Sequence, residues 1–100
     1  MSELICNRLT VLGSERQVNR FLESNWERLL RANYKEWLQN SPGRYVCDFK
    51  TQTRIAESLK RLSRRWPRLT LLVDWEDEAH CTKGLAKATA GKLEHCEIGY

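Results

Sequence analysis

The stretch that decides the fold is Leu69-Thr70-Leu71-Leu72-Val73-Asp74-Trp75, near the middle of the second half of the chain. Pro67 precedes it and an acidic cluster begins at Glu76. A short apolar run between such boundaries is typical of a buried strand. Because side chains alternate along a strand, the odd-numbered residues from 69 to 75 share one face and Leu72 lies on the other. The run therefore predicts a core strand with both faces covered at least in part.

Length and composition indicate a single domain spanning residues 1–100. Hydrophobic residues make up 41% of the chain and include four tryptophans, which is enough for a real core. No apolar run reaches the roughly 18 residues of a membrane span, and the start of the chain has no secretory-signal pattern. These features predict a cytoplasmic protein with no membrane partner.

The elements before the core strand are predicted from periodicity. Leu4 to Leu12 alternates like a strand, and Ser14 is a good N-cap for a helix whose apolar stripe runs from Val18 to Leu29. Beyond Arg31 the apolar spacing drifts, so either the helix bends or a second short helix covers the end of the sheet. The four turn residues 40–43 end this helical region.

Further along the chain, Tyr45 to Phe49 reads as the second strand, and Thr51 or Thr53 is expected to cap a second helix. The apolar stripe of that helix runs from Ile55 to Trp66. After the core strand come two more strands, Thr82 to Thr89 and Lys92 to Tyr100, joined at Ala90 and Gly91. The first of these is rich in alanine and lysine and is expected to be an exposed edge.

The resulting order of elements is β-α-β-α-β-β-β. Two helices with one apolar stripe each need one sheet to cover. The sequence therefore predicts an α+β fold, a two-layer sandwich with two helices packed on one face of a largely antiparallel sheet.

Several short motifs resemble a known family. They are Cys6 to Gly13 with the capped helix that follows, Phe49-Lys50-Thr51, Trp66-Pro67, and the glycines at 84 and 91. Together they resemble the YubB ferredoxin-like family of small bacterial domains, which are carried by plasmids and prophages. The resemblance implies a ferredoxin-like fold without an iron–sulfur cluster, and it brings no catalytic residues to this chain.

No residues form a recognisable catalytic or metal site. The four cysteines at positions 6, 47, 81 and 96 lack C-x-x-C spacing and are expected to behave as small core hydrophobes. In each of the pairs His80-Cys81 and His95-Cys96, neighbouring strand residues point to opposite faces, which does not suit zinc. The sequence therefore predicts no cofactor and no metal.

Charge is distributed unevenly along the chain. Residues 1–68 carry 14 lysines and arginines against 7 acidic residues, and residues 69–100 carry 3 against 6. The polar side of the second helix concentrates the positive charge. Its candidate nucleic-acid-binding residues are Arg54, Lys60, Arg61, Arg64, Arg65 and Arg68, and arginine suits phosphate because its planar fork donates two parallel hydrogen bonds.

These observations leave three functional hypotheses. The first is a non-catalytic binding or interaction domain whose partner is another protein or a second copy of the chain. The second is binding to a nucleic-acid backbone through the basic second helix. The third, a small-molecule-binding or enzymatic domain, rests on analogy with other proteins of similar fold.

Overall fold

The structure, a computed structural model, describes residues 4–100 and has six strands, three α-helices and one short 3-10 turn at Glu78–His80. In chain order the elements are β1 (Ile5–Leu12), α1 (Glu15–Glu23), α2 (Trp26–Leu30), β2 (Asn33–Ser41), β3 (Arg44–Thr51), α3 (Ala56–Arg65), β4 (Thr70–Asp77), β5 (Thr82–Thr89) and β6 (Lys92–Gly99).

The strands form one antiparallel sheet in the order β2-β3-β1-β4-β5-β6. Both β3 and β4 pair with β1 in antiparallel fashion, so they run parallel to each other on its two sides. The chain between them forms α3. Hairpins then add β5 and β6 in succession, and the last turn has positive φ at both Ala90 and Gly91, as a tight two-residue hairpin requires.

The predicted ferredoxin-like sandwich with two helices is wrong. The sheet has six strands rather than five, the helices number three, and most of the described residues lie in strands. The difference arises in residues 32–43, which were expected to continue the helical region. Here β2 pairs with β3, and Trp37 packs its ring 4.6 Å from that of Tyr45.

The predicted first helix is broken into α1 and α2, and the apolar spacing drifts beyond Arg31 because β2 begins at Asn33. Ser24 ends α1 with its hydroxyl on the carbonyl of Phe21, and Arg31 ends α2 in the left-handed region at φ 55°. The break changes the helical phase, so that Leu30 is buried whereas the predicted stripe residue Leu29 is 38% exposed. The predicted cap of α1 is confirmed, because Ser14 Oγ accepts the amide of Gln17.

The core lies between the helices and one face of the sheet. The apolar face of the predicted core strand is confirmed as buried, as are Leu59 and Leu62 of the second predicted helix. Trp26 sits at the centre of an aromatic cluster with its ring 5.6 Å from Phe21 and 5.8 Å from Phe49. No helix among residues 4–100 covers the opposite face of the sheet, which we call the open face.

Three local predictions are corrected by the structure. Neither threonine caps α3, because the N-cap position is Ile55 and Thr51 donates its hydroxyl to the Thr53 carbonyl instead. β5 is an interior strand between β4 and β6, with Ala86 and Ala88 buried, so β6 and not β5 is the edge strand at this end of the sheet. Of the four cysteines only the one at position 47 is buried, and the other three are exposed.

Candidate nucleic-acid interface

Helix α3 exposes a row of arginines on its outer side, because its apolar side is buried against the sheet. Leu59, Leu62 and Ser63 are buried against the sheet. On a 3.6-residue period, Arg61, Arg64 and Arg65 then point away from the core, and all three are exposed.

Helix α1 adds two more exposed arginines to the helical side of the molecule. Arg16 and Arg20 lie one turn apart on its exposed side, and Arg68, just after α3, lines the same surface cleft. Two elements distant in sequence therefore bring their arginines together. We call this set the arginine surface, and its members are Arg16, Arg20, Arg61, Arg64, Arg65 and Arg68.

The arginine surface is not neutralised within the described part of the chain. Among residues 4–100, the ion pairs formed by basic side chains involve Arg8, Lys35, Arg54 and His80, and none involves a member of this surface. The six guanidinium groups are thus free of carboxylate partners among these residues, and Arg61 donates a long hydrogen bond of 3.5 Å to the Ser58 hydroxyl. Such a cluster gives the helical side of the molecule a positive potential that attracts anions.

The structure separates two of the predicted binding residues from this surface. Arg54 binds the Glu97 carboxylate at 3.0 Å, lies 3.8 Å from Asp77 and stacks 4.8 Å above the Trp75 ring. Its positive charge is therefore paired with carboxylates of the protein itself. Lys60 lies on α3 but is half-buried.

Sequence reasoning missed Arg16 and Arg20. Their spacing of four residues on the polar side of a predicted helix was visible, but their proximity to Arg68 depends on how α1 and α3 pack. The four residues common to the prediction and the surface are Arg61, Arg64, Arg65 and Arg68.

The open face of the sheet presents a different chemistry. Arg8 forms a two-pronged pair with Asp48, with nitrogen–oxygen distances of 2.8 and 3.1 Å, and the hydrogen bond raises the pKa of Arg8. Beside it lies a hollow of about 520 Å³ whose apolar wall includes Leu72 and Leu85. This guanidinium is already paired with a carboxylate, so it is not free to bind an anion.

The described residues contain no recognisable catalytic or metal-binding arrangement. Among residues 4–100 no three histidine, cysteine or acidic side chains are grouped to hold a metal ion. His80 Nδ1 lies 2.9 Å from Asp77 Oδ2, yet no described hydroxyl or thiol hydrogen-bonds to the imidazole. Burial raises the pKa of the Cys47 thiol, which keeps it protonated and a poor nucleophile.

Comparison of the chain with protein-family models, with curated proteins and with solved structures finds no match. Within residues 4–100, none of the helices has the length and apolar character needed to cross a membrane.

Proposed function

We propose that this domain is a non-catalytic binding module that holds the phosphate backbone of a nucleic-acid duplex on the arginine surface. The observation that supports the proposal is the presence of six exposed arginines on the helical side, three of which (Arg16, Arg20 and Arg68) line one cleft, with none of the six paired with a carboxylate within residues 4–100. Basic groups clustered on one face are the electrostatic footprint of such proteins.

The chemistry of the surface favours phosphates over bases. A guanidinium donates two parallel hydrogen bonds to phosphate oxygens, whereas unpaired bases are held mainly by stacking on aromatic rings. The exposed aromatic side chains Tyr34, Trp37 and Tyr100 belong to the sheet and its end, not to the arginine surface. Binding should therefore tolerate changes of sequence.

The same surface is poorly suited to a protein partner. Stable protein interfaces depend on buried aromatic or apolar anchors near their centre. The only large exposed apolar side chain beside these arginines in the described structure is Leu29. A long, regular polyanion matches the composition of the surface better than a folded protein does.

Fluorescence anisotropy with a labelled duplex, repeated over a range of salt concentrations, tests the proposal. If about four phosphates are neutralised, log K should fall against log [salt] with a slope near −3.6. Replacing both Arg61 and Arg65 with alanine should flatten this slope by roughly two units, because each lost phosphate contact removes about 0.9. Scrambling the duplex sequence should change the affinity little.

A matched control removes the same charge from the other side of the molecule. Lys50 and Lys87 are exposed on the open face, and the ion pairs found within residues 4–100 do not include them. The Lys50→Ala/Lys87→Ala protein should keep the original slope. Equal flattening in both double variants, or no binding at low salt with about 50 μM protein, would show that the arginine surface is only solvated.

The relation to the YubB family, an origin in a mobile element and a cytoplasmic location stay predictions. So does the alternative of a small-molecule-binding or enzymatic domain, for which no set of described residues converges on a reaction centre.

A further inference from the structure

The two edges of the sheet differ in how well they are protected against pairing with another strand. The β2 edge is irregular, because its pairing with β3 shifts register twice and Tyr34 adopts φ 54°. Irregular edges of this kind discourage further strand addition. β6 is regular: it pairs with β5 residue for residue from Lys92 to Gly99, with no shift and no proline.

The outward hydrogen-bonding groups of β6 follow from its pairing with β5. The amide of Tyr100 donates to the carbonyl of Cys81 at 2.7 Å. Because the bonds of an antiparallel pair alternate along each strand, the even-numbered residues of β6 bond to β5. The odd-numbered residues Leu93, His95, Glu97 and Gly99 therefore direct their amides and carbonyls away from the sheet, and no other element of residues 4–100 pairs with them.

We propose that β6 pairs antiparallel with β6 of a second copy of this chain, in the register that places Cys96 opposite its own counterpart. A twofold axis perpendicular to the sheet relates two such strands, so one residue must face itself. With Cys96 at the axis, residues 93 and 99 are opposite each other, as are residues 95 and 97. All the outward backbone groups of both strands are then hydrogen-bonded.

The other possible registers either place like charges opposite each other or leave outward backbone groups unpaired. Centring the pair on Glu97 or Glu94 places two like charges opposite each other, which destabilises a sheet. Centring it on His95 leaves the outward groups of Gly99 without a partner within β6, and centring it on Ile98 does the same to those of Leu93 and His95. The register centred on Cys96 alone pairs every outward group without opposing two identical charges.

Side chains also match in this register. His95 lies opposite Glu97 of the second copy on the helical side of the sheet, and an imidazole and a carboxylate can hydrogen-bond there. On the open face, Leu85 pairs with Cys96 within each copy, and Leu85 is 56% exposed. The dimer places the two leucines and the two cysteines in one row, so apolar surface that is exposed in the monomer becomes continuous.

The first test measures, under reducing conditions, whether the protein forms a dimer as its concentration rises. Sedimentation at concentrations from about 1 μM to about 1 mM, a range that spans weak dissociation constants, should show a shift toward twice 11.8 kDa. Glu97→Pro removes an outward amide that β5 does not use, and proline is tolerated on edge strands. This variant should remain monomeric throughout the range.

Glu97→Ala is the matched control, because it loses the same ion pair with Arg54 but keeps the amide. It should still dimerise. A monomeric wild-type protein at the highest concentration, or a Glu97→Pro variant that dimerises like Glu97→Ala, would overturn the proposal.

A cross-linking experiment tests the register without a proline. In the Cys6→Ser/Cys81→Ser protein, Cys96 is the only exposed thiol of the described structure. Opposite residues that are not hydrogen-bonded to each other lie about 4.5 Å apart between Cα atoms, within disulfide range. Diamide, which accepts the two electrons and two protons released when two thiols join, should link the copies, and adding Cys96→Ser should abolish the link. Failure to cross-link while the protein is dimeric would overturn the register.

Discussion

Replacing Ser63 with alanine should remove the hydrogen bond that joins α3 to the last hairpin and lower the stability of the fold. Ser63 is fully buried, and its hydroxyl accepts the amide of Gly91 at 2.9 Å while donating to the Lys60 carbonyl at 2.7 Å. This hydroxyl connects the helix to the turn between β5 and β6. Alanine preserves the helix, because it has the highest helix propensity, but leaves the Gly91 amide without its acceptor.

The magnitude follows from the burial of that amide. An unsatisfied buried donor costs about 1–3 kcal/mol. Gly91 is half-buried, so water can replace part of the bond, and we expect a loss of about 1–2 kcal/mol in the free energy of unfolding. Urea denaturation measures this loss. Hydrogen exchange of the Gly91 amide should become roughly 5–30 times faster if the turn opens by the same free energy.

Ser58→Ala is the control for this experiment. Ser58 lies on the same helix, and among the described residues its hydroxyl hydrogen-bonds only with the Arg61 guanidinium, at 3.5 Å. We expect a change within about 0.5 kcal/mol, as for other surface substitutions. If Ser63→Ala falls in the same range, or if exchange at Gly91 is unchanged, the hydroxyl does not hold the hairpin and the reasoning is refuted.

Two further predictions concern the last strands. Gly84→Ala would place a Cβ 2.6 Å from the Cys96 carbonyl oxygen and 2.7 Å from the Trp75 ring; overpacking of this kind costs about 1–3 kcal/mol, and thermal unfolding should show a midpoint lowered by roughly 5–20 °C. The hydrogen bond to Glu76 raises the pKa of Tyr100 to about 12, above about 10 in the unfolded chain. The stabilisation by this bond is therefore complete below about pH 10 and is lost as the pH rises through about 12. An absorbance titration of the wild-type protein, compared with Tyr100→Phe, isolates the ionisation of Tyr100. A midpoint near about pH 10 for Tyr100 would contradict this prediction.

Strand alternation and helical spacing of apolar residues were sufficient to predict the buried face of the regular elements. The apolar run before Trp75 and the stripe from Ile55 to Trp66 each bury the face that their periodicity predicts. The predicted hairpin at Ala90 and Gly91 is confirmed, and its register places Leu85 opposite Cys96.

β2 could not be predicted in this way because its sequence does not alternate in hydrophobicity. Its pairing with β3 shifts register twice, and its apolar residues Trp37 and Leu38 both stay exposed, at 53% and 43%. The strand is held by pairing with β3 and by one ring packed on Tyr45, and both are long-range contacts. The arginine surface has the same origin: Arg16 and Arg68 meet only because two helices share one sheet.

The two proposed interactions are geometrically compatible. A twofold axis perpendicular to the sheet keeps the helices of both copies on one side of the joined sheet, so both arginine surfaces face the same way. The Arg64 side chain packs beside Gly91, at one end of β6. In the register centred on Cys96, the two copies of Gly91 are offset by ten residues, or about 34 Å at the rise of an antiparallel strand. One turn of B-form DNA measures about 34 Å. A duplex laid across the helical side can therefore present the same groove to both copies, which favours the dimer as the form that binds nucleic acid.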